Sequence, residues 1–128
     1  MFVQETLTQQ KRILVVEDDP SARESIALIL KIDRHHVTEA PDGKTALELV
    51  QCQPFDLVVL DFAMPGILGA EVARHIKHVA PTTPILMVTA YLEKLSDADK
   101  PVDAVLPKPF AVADFRQTVA ALLSKTGP

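Results

Sequence analysis

Three uninterrupted apolar runs, Ile13-Leu14-Val15-Val16, Leu57-Val58-Val59-Leu60 and Ile85-Leu86-Met87-Val88, each stop on a polar residue: Glu17, Asp61 and Thr89. A short run with no polar alternation fits a strand covered on both faces, the condition of a parallel sheet flanked by helices. After Asp61 the chain runs Phe62-Ala63-Met64-Pro65-Gly66, and Pro-Gly ends regular structure there. Ligands of open parallel sheets sit beyond the carboxyl ends of the strands, so chemistry is expected around Asp61.

Helical spacing fills the intervals between the runs. Asp19 is a natural N-cap with Pro20 at the first helical position, followed by Ala22, Ile26, Ile29 and Leu30 through about Ile32. A short strand is expected over His36 to Glu39. Asp42-Gly43 then opens a second helix with Ala46, Leu47, Leu49 and Val50 on one stripe, closed by Pro54. Gly69 or Ala70 begins a third, with Val72, Ala73, Ile76 and Val79 on one face. Tyr91 to Lys100 predicts a short or irregular helix cut by Pro101, and Ala104-Val105-Leu106 a fifth strand. Phe115, Val119 and Leu122 define a last amphipathic helix to about Ser124. Strand and helix alternating five times imply an α/β fold, a three-layer sandwich around a doubly wound parallel sheet with helices on both faces.

The 128 residues suit one domain, read here as a flexible leader over 1–10, a folded domain over 11–124 and a tail over 125–128. No separate output domain is expected within them. A net charge of −4 and a pI near 5.5 argue against direct nucleic-acid contact, because nucleic-acid modules usually present a clustered basic face. No run of about eighteen apolar residues suggests a membrane span, and the first ten residues lack the pattern of a signal peptide. Cys52 stands alone, so neither an internal disulfide nor a multi-cysteine metal site can form, which suits a reducing cytoplasm. It is expected to be a small buried or half-buried thiol. His75 and His78 fit a solvated helix face, and none of the four histidines falls at a strand end facing Asp61.

The polar oddities gather on one edge of this sheet: Glu17, Asp18, Asp61, Thr89 and Lys108 all follow or end strands. Taken singly, Glu17-Asp18-Asp19 fits a solvated strand end and helix cap, Lys108 a surface lysine and Thr89 a strand-end hydroxyl. Their coincidence points to one site. Three carboxylates brought together repel unless a cation joins them, and Mg2+, with Mn2+ as a substitute, prefers such hard oxygen ligands. Lys108 supplies a compact charge for phosphate and Thr89 a hydroxyl donor, which leaves Asp61 as the nucleophile of an aspartyl-phosphate chemistry.

These residues carry a resemblance over about Lys11 to Ser124. Ile13-Leu14-Val15-Val16-Glu17-Asp18-Asp19, Asp61 with Met64-Pro65-Gly66, Thr89-Ala90 and Lys108-Pro109-Phe110 resemble the receiver domain of a two-component response regulator. The resemblance implies a flavodoxin-like (βα)5 fold with strand order 2-1-3-4-5. It also implies that Asp61 takes a phosphoryl group from a phosphohistidine of a sensor histidine kinase or phosphotransfer protein. Glu17, Asp18, Asp61 and the main-chain carbonyl of Ala63 would hold Mg2+, Asp18 directly and Glu17 often through water. Thr89 and Lys108 would bind the phosphoryl oxygens. Thr89, Ala90, Tyr91 and Val105 would belong to the switch that relays the event to a downstream target, and the arrangement leaves room for a homodimer. The Lys108-Pro109 bond is a candidate cis peptide. Such a domain is a phosphoacceptor and not an enzyme with a separate substrate. Ala63 and Tyr91, flanking the phosphoryl group, predict slow self-dephosphorylation.

The sequence departs from the family pattern in two places. Val105 stands where an aromatic ring is usual, and Lys100-Pro101-Val102-Asp103 replaces the usual Gly-Ala before strand five in a shortened connection. Two other functions therefore compete. A degenerate receiver could serve only as a protein-binding module. A Mg2+-dependent aspartate-nucleophile phosphatase would need a second aspartate two residues after Asp61, where this chain has Ala63.

Overall fold

The computed structural model describes residues 10–62, 69–90 and 102–124. In chain order these form β1 (Arg12–Val16), α1 (Pro20–Ile32), β2 (His36–Ala40), α2 (Gly43–Cys52), β3 (Leu57–Asp61), α3 (Gly69–Val79), β4 (Ile85–Thr89), β5 (Ala104–Pro107) and α4 (Val112–Ser124). The helix expected over Tyr91 to Lys100 lies outside the described residues. All five strands run parallel in the order β2-β1-β3-β4-β5. The expected strand order and two-faced sandwich are therefore present.

Period-two alternation divides the core. Ile13, Val15, Leu57, Val59, Leu86 and Val88 point to the face covered by Ile26 and Leu30 of α1 and by Phe115, Val119 and Leu122 of α4. Leu14, Val16, Val58, Leu60 and Ile85 point to the other, against Ala46 of α2 and Val72, Ala73 and Ile76 of α3. Strands β1 after Arg12, β3 and β4 are buried along their whole length, which is why they read as apolar runs.

Helix starts follow from caps. The Asp19 carboxylate accepts from the Ala22 N–H at 2.9 Å with Pro20 next in the chain, and Asp42 accepts from Thr45 at 2.8 Å. That hydrogen bond to the Thr45 backbone holds the Asp42 carboxyl below the ordinary aspartate range. Helix α1 ends with Arg34 at φ 72°, its N–H donating to the Lys31 carbonyl and that of His35 to the Leu30 carbonyl, a Schellman turn built without glycine.

Three strand boundaries and one burial expectation change. Strand β1 begins at Arg12, which pairs with His36. Strand β2 reaches Ala40, opposite Val16, and β5 reaches Pro107, opposite Thr89. Cys52 is exposed rather than buried. Two positions beyond Val50, its side chain is turned by about 200° around the helix, away from the stripe that meets the sheet.

Asp103, the residue just before β5, is the centre of a polar clamp where β4 and β5 begin. Asp103 accepts from the Ile85 N–H at 2.8 Å and pairs with Lys77 at 2.8 Å, while its own N–H donates to the Ile85 carbonyl at 2.9 Å. Lys77 also donates to the Thr83 carbonyl at 2.8 Å. The end of α3 and the starts of β4 and β5 are thereby tied together. Among the described residues, no helix is long and apolar enough to cross a membrane.

Candidate functional site

Parallel strands deliver their last residues to one edge, and the register fixes which residues meet there. Val16 lies opposite Leu60, Asp61 opposite Val88, and Thr89 opposite Pro107, so Glu17, Asp61, Thr89 and Lys108 follow one another across β1, β3, β4 and the edge strand β5. The Lys108 N–H donates to the Thr89 carbonyl at 2.7 Å, which carries the pairing one residue past β5.

One carboxylate oxygen each from Glu17, Asp18 and Asp61 lies within 4.8 Å of the others. Glu17 is 2% exposed and Asp61 7%, whereas Asp18 is exposed. Two acids are thus held below the surface with a third at the mouth. The ammonium of Lys108 sits 2.8 Å from Glu17 Oε1 and 3.6 Å from Asp61 Oδ1. Burial alone would lower the Lys108 pKa, but the hydrogen bond to Glu17 and the charges of Asp61 and Glu17 outweigh it and raise it above the ordinary lysine value. Thr89 is fully buried at the end of β4.

The backbone is fixed as firmly as the side chains. The Glu17 N–H donates to the Ala40 carbonyl at 3.1 Å, and Glu17 Oε2 accepts from the Asp19 N–H at 3.2 Å. Below Asp61, the Gly69 N–H donates to the Phe62 carbonyl at 2.8 Å. A Cβ at Gly69 would come to 2.6 Å from Phe62 Cα and 2.7 Å from the Asp61 carbonyl oxygen, so α3 can start against this strand end only from glycine. A cis peptide bond joins Lys108 to Pro109.

An all-oxygen donor set from three acids, with the Lys108 ammonium between two of them, fits a small hard divalent cation such as Mg2+. The same pocket suits an anion of phosphate type approaching Lys108 and Thr89. The family model for the response regulator receiver domain matches residues 13–120. The chain belongs to the response regulator receiver domain family.

Its curated relatives include the response regulator MprA of Mycolicibacterium vanbaalenii, 40% identical over 120 residues covering 91% of this chain and 52% of that protein. The chain thus spans about half the length of the curated relatives it matches. Among solved structures, the response regulator TrrA of Thermotoga maritima in complex with Mg2+-BeF is 35% identical, with a TM-score of 0.83 over 88% of this chain and 99% of that one. The receiver domain of the sensor histidine kinase PA1611 of Pseudomonas aeruginosa, with a magnesium ion in its active site cleft, is 25% identical, with a TM-score of 0.82 over 90% and 98%.

The receiver fold brings Glu17, Asp18, Asp61, Thr89 and Lys108 to one edge, as their positions at strand ends predict. Of the other residues that the resemblance assigns to the switch, Ala90 is exposed beyond β4 and Val105 is half-buried in β5. Ala63 and Tyr91 lie outside the described residues. Two contributors escaped the sequence reading. Gly69 was legible only as a helix start, although a glycine at the first helical position hints at close packing. Arg23, whose guanidinium donates to the Glu17 carbonyl at 2.9 Å, carries no local signal that distinguishes it from a solvated helix arginine.

Proposed function

We propose that this receiver domain, taken as residues 11–124, is a Mg2+-dependent phosphoacceptor switch in which Asp61 receives a phosphoryl group from a phosphohistidine of a sensor kinase or phosphotransfer protein. The observation that carries the reading is the meeting of Glu17, Asp18 and Asp61 within 4.8 Å, with the Lys108 ammonium 3.6 Å from the Asp61 carboxylate. The Mg2+-BeF complex of TrrA and the magnesium ion in the PA1611 receiver support the same use of this pocket.

In this mechanism a carboxylate oxygen of Asp61 forms the new bond to phosphorus as the bond from phosphorus to the donor imidazole nitrogen breaks. The departing nitrogen keeps the electron pair and later takes a proton. Glu17, Asp18 and Asp61, with the Ala63 carbonyl, would hold Mg2+ or Mn2+, and the ion when bound would supply neutralisation of charge on the transferring phosphoryl oxygens. Lys108 leaves Glu17 for a phosphoryl oxygen, and Thr89 donates its hydroxyl to another. Movement of Thr89 then draws on Ala90 and Tyr91, a local charge event read as a rearranged loop. With Val105 in place of an aromatic ring, the response of β5 is small.

Helix α1 leaves the acidic turn and bears Leu28 and Ile32 on its outer side, 58% and 67% exposed, apolar surface that favours a protein donor. The reading places the domain in the cytoplasm. Amide spectra with Mg2+ and beryllofluoride test it. The switch predicts large shifts at Asp61, Thr89, Ala90 and Lys108, with little change on β5, whereas unchanged spectra would identify a receiver that only binds proteins.

A further inference from the structure

We propose that Arg23, braced by Glu39, is a positioning residue that sets the acidic turn for cation binding, an inference that rests on reading Glu17 and Asp18 as cation ligands. Arg23 lies on α1, just after that turn. Its Nη1 donates to the Glu17 carbonyl at 2.9 Å and its Nε to Glu39 Oε1 at 3.1 Å. The Arg23 and Glu39 side chains are 18% and 30% exposed, so this is a half-buried contact and not a surface pair waving in solvent. Glu39 stands opposite Val15 in the β1–β2 register, on an element that contributes no acid to the site itself.

The consequence for Asp18 is geometric. The Glu17 N–H is held by the Ala40 carbonyl, the Asp19 N–H by Glu17 Oε2, and the Asp19 carbonyl by the Arg23 N–H at 2.9 Å. Within that frame the carbonyl between Glu17 and Asp18 would be free to rotate, and with it the direction of the exposed Asp18 carboxylate. The guanidinium fixes this peptide plane. Its fork geometry lets one planar group reach the Glu17 carbonyl and the Glu39 carboxylate together, which a lysine ammonium on a flexible stem cannot reproduce. Groups that orient ligands from outside are often worth a tenfold or larger change in metal affinity.

The sign of the effect separates positioning from plain electrostatics. A cation beside an acidic site repels a second cation, so removing the Arg23 charge should, on Coulomb grounds alone, tighten Mg2+ binding. Positioning predicts the reverse. Mg2+ titration followed through the amide signals of Asp18, Asp61 and Thr89 in the full chain should give a dissociation constant raised about tenfold in Arg23→Met. Arg23→Lys, which keeps the charge and is the milder change for folding, should weaken binding as well. Adding Glu39→Gln to Arg23→Met should cost less affinity than Glu39→Gln does alone, because the two residues act as one unit. Before any Mg2+ is added, the Asp18 and Asp19 amide signals should already be displaced in Arg23→Met. A dissociation constant unchanged or lowered in both Arg23 variants would overturn the proposal. A wild-type protein that ignores Mg2+ would remove the cation reading instead, and the brace would then stand or fall on the metal-free Asp18 and Asp19 signals.

Discussion

Replacing Lys108 by methionine would strip the ammonium from Glu17, whose side chain is 3% exposed, and leave three acids together without it. Losing a hydrogen bond to a charged, buried partner costs about 1–3 kcal/mol, so Lys108→Met should melt at a lower temperature than the wild type in the absence of divalent cations. Mg2+ should then stabilise the variant more than the wild type, because binding no longer competes with the ammonium for Glu17. Melting curves with and without Mg2+ measure both effects. His35 Nδ1 accepts from the Lys11 N–H at 3.3 Å. Burial lowers its pKa, reinforced by Lys11 and opposed by Asp33 and Asp56. A depressed folded value means that the unfolded chain takes up the proton first as pH falls. The stabilising contribution is full above the ordinary histidine pKa of about 6.5 and is lost as pH drops through the lower folded value. Denaturant melts across that range should show the loss in wild type and a smaller one in His35→Gln.

Where α3 starts against the end of β3, the backbones leave no room for a side chain at Gly69. Gly69→Ala would drive a methyl group into the Asp61–Phe62 backbone and should cost about 1–3 kcal/mol, with Asp61 displaced by the same movement. Calorimetry measures the first effect. Weaker Mg2+-dependent shifts at Asp61 would report the second. The elements themselves were legible to the degree that local physics determines them. Runs buried on both faces announced β1, β3 and β4, and Asp19-Pro20 and Asp42-Gly43 announced two helix starts through capping. What escaped was settled by partners distant in the chain. Lys108 and Glu17 are 91 positions apart, and no local pattern signals that the lysine rests on the glutamate. The space denied to a Cβ at Gly69, the reach of Arg23 to a carbonyl of the preceding turn and the outward turn of Cys52 are likewise products of packing.

For the whole molecule, the division of labour between the two sheet edges explains how an unusual sequence before β5 coexists with a receiver site. Asp103 and Lys77 clamp the edge where β4 and β5 begin, while Thr89 and Lys108 leave the same two strands at the other end. Asp103 therefore acts on the fold where β4 and β5 begin, not on the acids that surround Asp61. Strand order and site were readable together because a parallel sheet sends all its strand ends to one place, so five scattered polar residues become one constellation once the topology is known. Phosphoryl transfer to Asp61 can be read by incubating the protein with acetyl phosphate and Mg2+ and locating any added mass by peptide mapping. One phosphoryl group is expected on Asp61, dependent on the divalent cation and absent from Asp61→Asn, with that variant still folded. Labelling that persists in Asp61→Asn, or a wild-type protein that gains no mass at all, would contradict it.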